Sequence, residues 1–202
     1  SVSEPILWGS AAGSCCMKKE TGEESLTDLV VAGPVGLEGT AMIAVRKEEE
    51  LKERYPEFFI RQAAGLYQAY MNRHFLDVVR RIREVCPPVL MHSLGEGGVF
   101  GGIWELASLA GMGLDIDLCA IPIRQHTVEL CEFFGLNPYM LFSGGSMLIL
   151  CQDGDRVVDL LNKEGIPGSL IGRTGRQKAR RIHYDGEVRY LEPPKEDEYY
   201  RL

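Results

Sequence analysis

Six glycines crowd the stretch MHSLGEGGVFGGIWELASLAG, residues 91–111, at the point where a long apolar run begins. Glycine weakens a helix interior by about 1 kcal/mol relative to alanine, so something other than helix propensity places it here. A strand ending at His92, a short loop and a helix starting near Gly97 would aim several unpaired backbone N–H groups at one point. Helix starts of this kind bind phosphate readily, and glycine lets the backbone approach an anion with no Cβ in the way. Close packing is the other use of such residues, and Gly101 and Gly102, one turn further on, are assigned to it. The spacing is not that of a Walker A loop, because no Gly-Lys-Ser/Thr follows, nor that of a dinucleotide fingerprint. His92 ends the strand and reads as a hydrogen-bonded core histidine, with a catalytic role as the alternative.

Other segments could add chemistry. In GPVGLEGT, residues 33–40, Glu38 is either an exposed loop carboxylate or a general base. Ser143-Gly144-Gly145-Ser146 is a strand break or a second backbone nest for an anion. The basic run RTGRQKARR, residues 173–181, reads as a solvated strand edge, with a phosphate or RNA grip as the alternative. Histidines 74, 126 and 183 lie on charged or helical stretches and read as surface residues. The six cysteines form no Cys-x-x-Cys pair and several sit in apolar runs, which points to free thiols in a reducing cytoplasm and to no metal site. A net charge of −7 weighs against a nucleic-acid partner. No run approaches the roughly twenty apolar residues that span a bilayer.

The elements that must position these groups follow from periodicity. DLVVAGPVG (28–36) reads as a buried strand and turn, 37–55 as a helix that becomes strongly charged, and 57–85 as helical after Pro56. Residues 87–93 and 112–118 are strands, the second alternating apolar and acidic residues. Residues 94–110 form the glycine turn and helix, and 123–135 a helix stopped by Gly135. Residues 140–152 read as two strand pieces, 155–165 as an amphipathic helix, 168–175 as a strand, and 179–192 as a hairpin turning at Asp185-Gly186. The reading is one α+β domain over 28–192, a mixed sheet with helices mainly on one face. A loosely structured lead-in (1–27) precedes it and a mobile tail (193–202) follows.

Several of these motifs, in this order, resemble the C-terminal domain of the aminoimidazole-ribonucleotide synthase (PurM-like) superfamily. The likeness is nearest to its HypE-like, AIR-synthase-related branch, which serves hydrogenase maturation. The family's His-Asp-Pro-Thr-x-Gly-Gly segment corresponds to His92-Ser93-Leu94-Gly95-Glu96-Gly97-Gly98, followed by a helix with Glu105. Ile121-Pro122-Ile123-Arg124 and Cys131-Glu132-Phe133-Phe134-Gly135-Leu136-Asn137-Pro138 follow in order, and VVAGPVGLEGTAMIA matches the glycine loop that opens the domain.

The resemblance implies the PurM C-terminal fold and a phosphate-bearing ligand, a nucleotide or phosphorylated substrate. Its site would be built from Gly36, Glu38, Gly39, Thr40, His92, Ser93, Gly95, Glu96, Gly97 and Gly98. It implies ATP and Mg²⁺ as cofactors, brought by a separate N-terminal ATP-binding domain or second chain, and a homodimer. Departures accompany it. Ser93 and Gly95 stand where the family has Asp and Thr, Leu37-Glu38 stands where HypE-like loops often carry Asp-His, and the chain ends Tyr-Tyr-Arg-Leu rather than in a reactive cysteine. Each removes a group that ATP-dependent dehydration needs. The expectation is therefore retained anion binding without turnover by this chain alone, with a catalytically silent binding or assembly module as the alternative.

Overall fold

The computed structural model describes residues 26–70, 73–175, 177–193 and 195–202. The expected lead-in over 1–27 lies almost wholly outside the described residues, as do Cys15 and Cys16. Seven strands, β1 (Asp28–Ala32), β2 (Leu90–Ser93), β3 (Gly113–Asp117), β4 (Met147–Cys151), β5 (Gly168–Gly175), β6 (Arg180–Tyr184) and β7 (Glu187–Tyr190), form one sheet. Its order is β2-β4-β1-β5-β3-β6-β7. All neighbours run antiparallel except the parallel pair β3–β6. The helices are α1 (Leu37–Arg46), α2 (Glu48–Leu51), α3 (Glu57–Tyr70), α4 (Arg73–Val85), α5 (Gly98–Ala110), α6 (Gln125–Phe134) and α7 (Gly154–Lys163).

β1 shows why the sheet is two-sided. Successive side chains of a strand point to opposite faces. Leu29 and Val31 enter one core with Val99, Ile103 and Leu106 of α5. Val30 and Ala32 enter another with Phe75, Val78, Val79 and Ile82 of α4 and Val157 and Leu161 of α7. The mixed α+β sheet is as the sequence reading had it. The helices are shared between both faces, more evenly than expected, because β1 is apolar at all four positions after Asp28 and can be buried only from two sides. A third apolar cluster joins α1, α3 and α6 through Ile43, Ile60, Ala63, Leu130 and Leu141.

One expectation is corrected. Residues 140–143 are not a strand: Pro138–Met140 is a 3-10 turn, and only Met147–Cys151 pairs in the sheet. The C-terminal segment, expected as a mobile tail, carries a short element. Glu198–Arg201 forms a 3-10 turn, and Asp197 is only 1% exposed. Its aromatic pair supplies the apolar area that anchors it, with Tyr199 and Tyr200 edge-on to Phe142.

The sheet half formed by β3, β6 and β7 packs Leu114, Ile116 and Ile182 against α5. Its opposite face carries an ion cluster, in which the Arg181 guanidinium donates to Asp115 Oδ2 (2.8 Å) and His183 Nε2 lies 2.9 Å from Oδ1. Arg181, with His183 assisting, holds the Asp115 carboxyl below the ordinary carboxylate range. A carboxylate with a lowered folded pKa contributes stability above its unfolded pKa, about 3.9, and loses it as the pH falls toward the folded value. In urea unfolding at pH 7 and pH 3, Asp115→Asn should show a smaller loss of stability on acidification than the parent chain. An equal loss would show that the cluster contributes nothing.

Candidate anion-binding site

β1 and β2 both run antiparallel to β4, which lies between them, with Ala32 and Ser93 each opposite Met147. Both glycine turns therefore leave the sheet at the same end of the strands, two strand spacings or roughly 10 Å apart. Each leads into a ten- or thirteen-residue helix, α1 and α5, with a left-handed glycine at its start (Gly36, φ 75°; Gly97, φ 77°) and no side-chain cap from its own turn. The turn predicted to cradle an anion is present twice, side by side.

Residues 141–146 fill the gap between the two turns. On the α1 side, Gly36 N–H donates to Ser143 Oγ (2.8 Å), Gly39 N–H to Phe142 O (3.0 Å) and Gly144 N–H to Glu38 Oε2 (2.9 Å). On the α5 side, Leu94 N–H donates to Ser146 O (2.9 Å) and Ser143 N–H to Gly95 O (3.0 Å). The Ser-Gly-Gly-Ser stretch read as a strand break or a nest is thus the wedge that holds the two helix starts in register.

The expected site residues divide accordingly. Thr40 is fully buried; its hydroxyl donates to Gly36 O (2.6 Å), leaving Thr127 Oγ1, 2.7 Å away, to donate to it. A Cβ on Gly36 would meet Thr127 Cγ2 at 2.7 Å, and one on Gly39 would meet the Leu141 side chain at 2.4 Å. All three are thus packed against protein on these sides. Gly98 is packed likewise, its open side facing the Tyr139 carbonyl and the Leu141 backbone. His92 pairs with Glu105 Oε2 across β2 and α5 at 2.8 Å, which fits the hydrogen-bonded reading. Ser93, Gly95 and Glu96 lie at the accessible rim, with open space beside Gly95.

Gly97 is the exception that matters. Its N–H donates to a carboxylate already present, Asp197 Oδ2 at 2.8 Å, delivered by the C-terminal segment. The other oxygen, Oδ1, accepts from Tyr199 N–H at 2.9 Å. Burial pushes this carboxyl above the ordinary range, while the N–H groups of Tyr199, Gly97 and Phe142 pull the other way. Beside it Glu198 Oε2 accepts from Asn137 N–H (3.2 Å), and Arg46 lies over the Tyr199 ring. The sequence reading missed Asp197. The signal was there: an Asp two residues before an aromatic pair starts a turn and brings enough apolar surface to dock it.

Two further groups border the α1 turn. Val35 pairs in parallel with Ile123, so α6 begins beside α1, and Arg124 stacks over Tyr70 and bonds its hydroxyl. The basic run 173–181 is engaged elsewhere. Arg173 pairs with Asp28, Arg180 stacks on Trp104 and donates to Ser108, and Arg181 holds Asp115. Among the described residues no group of three or more His, Cys, Asp or Glu could hold a metal. No helix among them is long and apolar enough to cross a membrane.

A family model for the C-terminal domain of AIR synthase related protein matches residues 28–185. The chain belongs to this family. Carbamoyl dehydratase HypE of Cupriavidus necator is 27% identical over 161 residues, covering 79% of this chain and 39% of that protein. Phosphoribosylformylglycinamidine synthase subunit PurL of Aquifex aeolicus is 24% identical over 184 residues, covering 88% of this chain and 23% of that protein. The crystal structure of HypE in complex with ATP superposes with a TM-score of 0.65 at 16% identity, covering 88% of this chain and 53% of that one. At that identity the likeness shows the shared AIR-synthase-related fold. The chain thus spans about half the length of that solved relative and less than half of the two curated ones.

Proposed function

We propose that this chain supplies the C-terminal half of a binding site for a phosphate-bearing ligand, a nucleotide or phosphorylated substrate. Backbone N–H groups at the starts of α1 and α5 would be its anion donors. The observation that carries the reading is the Asp197 carboxylate on Gly97 N–H, since a helix start that holds one oxyanion offers the same donors to another. The likeness to a HypE solved with ATP supports a nucleotide as the ligand class. Arg124, one residue beyond the Val35–Ile123 pair, would add a guanidinium beside the α1 turn. The donor set is backbone N–H with Glu38 turned onto Gly144; it fits phosphate oxygens and offers no carboxylate cluster for Mg²⁺. The metal and the remainder of the site would come from an N-terminal domain or a second chain.

Binding without turnover is the expectation for the chain by itself. Ser93 lacks the carboxylate, and Gly95 the hydroxyl, that the family motif places at those positions. The internal satisfaction of Gly36, Gly39 and Thr40 favours the related reading of a catalytically silent module. Calorimetric titration of the 202-residue chain with inorganic phosphate, and separately with ATP and Mg²⁺, should give saturable heat in at least one case. Two flat isotherms would overturn the binding reading, and ATP hydrolysis by the chain alone would overturn the silent one.

A further inference from the structure

β7, Glu187–Tyr190, is one edge of the sheet, with no strand on its outer side among the described residues. All four of its residues are exposed, with Val188 at 50% and Tyr190 at 70%. The hairpin register fixes which backbone groups face outward. Leu191 N–H donates to Arg180 O, and inward hydrogen-bonded pairs recur at every second residue of an antiparallel pair. Arg189 opposite Ile182 and Glu187 opposite Tyr184 are therefore the inward pairs. Val188 and Tyr190 turn their N–H and C=O groups away from β6, toward the open edge. Edges are usually guarded by proline, bulges, short strands or charged side chains; β7 has the last two, being four residues long with Glu187 and Arg189, but its two charges are of opposite sign.

The strand is also complementary to itself. An antiparallel partner strand can hydrogen-bond only through residues that face outward, which allows a two-fold axis at any residue of the edge, but an axis at Glu187 or Arg189 would set like charges directly opposite each other. With the axis at Val188, each Glu187 stands opposite Arg189 of the other strand, twice over, in non-hydrogen-bonded positions where Cα atoms approach to about 4.5 Å. Tyr190 then covers the bare Gly186 of the other turn and reaches Val188 diagonally. Within one chain Glu187 and Arg189 already pair at 2.8 Å while both remain largely exposed, so their charges share one face and are free to exchange partners. We propose that β7 is a self-association edge, to which a second copy of this chain adds its own β7 antiparallel about Val188, making one continuous sheet across the dimer. Cross-strand opposite charges and an aromatic over glycine supply the register. The contact is short, so association is weak and concentration-dependent.

Sedimentation velocity over a concentration series tests this. The chain should dimerise reversibly, and Val188→Pro should abolish the dimer, because that N–H faces outward and the hairpin does not use it. Glu187→Arg and Arg189→Glu should each weaken the dimer at least tenfold, and the double swap should restore it. A monomer at every concentration up to about 1 mM, a dimer indifferent to Val188→Pro, or a double swap no tighter than the single ones would each overturn the proposal. The charge swaps stand even if Val188→Pro does not fold.

Discussion

Gly98→Ala should lower the stability of the chain by about 3 kcal/mol or more, whereas Gly95→Ala, three residues earlier in the same loop, should stay within about 0.5 kcal/mol. Gly98 has φ +64°, a left-handed conformation that costs alanine roughly 1–2 kcal/mol. Its Cβ would stand 2.5 Å from the Tyr139 carbonyl oxygen and 2.8 Å from the Leu141 nitrogen and oxygen. These are backbone atoms and cannot rotate away, so the start of α5 or the 139–141 segment must move. A Cβ on Gly95 meets nothing within 4 Å. Urea unfolding of the two variants measures the difference. Equal effects would mean that Gly98 does not hold α5 against the wedge between the two turns.

Asp197→Ala should cost about 2 kcal/mol, because it leaves a buried N–H at the start of α5 without its acceptor. Under the proposed function it should also raise the affinity for inorganic phosphate at least tenfold, by removing the carboxylate that occupies the cradle. The two effects are linked. Phosphate bound to the folded state alone, at a hundred times its Kd, returns about 2.7 kcal/mol, so added phosphate should restore most of what the substitution removes. Asp197→Asn should fall between, since the amide oxygen still accepts from Gly97 but carries no charge. Thermal melts of the three chains with and without phosphate check this. A destabilised Asp197→Ala chain that phosphate stabilises no more than it does the parent would mark Asp197 as a helix cap and nothing more.

Much of the fold was legible before the structure, for local reasons. DLVVA is apolar at nearly every position between turn signals, and it became the interior strand β1. Asp185-Gly186 turns the β6–β7 hairpin, because both residues have positive φ (48° and 77°) and these residue types tolerate it. Gly135 ends α6 in the left-handed conformation that a helix-terminating glycine adopts. Residues 140–143 misled because Met-Leu-Phe is as apolar as a strand; Leu141 instead fills the cluster of α1, α3 and α6. Which face each helix covers was not legible either, since four consecutive apolar residues, Leu29 to Ala32, carry no alternation from which to read a side.

The site divides in the same way. The sequence by itself determined that two glycine turns would each open a helix and which family the motifs resemble, because turn chemistry and helix starts depend on residues near in the chain. It could not say what those glycines would face. Gly36 meets Thr127, Gly39 and Gly98 meet Leu141, and Gly97 meets Asp197, partners 43 to 102 residues away in sequence by the numbering. Only the tertiary structure decided that most of these glycines make room for protein and that one already holds a carboxylate. A backbone donor looks the same in sequence whether its acceptor is a ligand or the chain's own tail, and the packing of remote segments settles which one it meets.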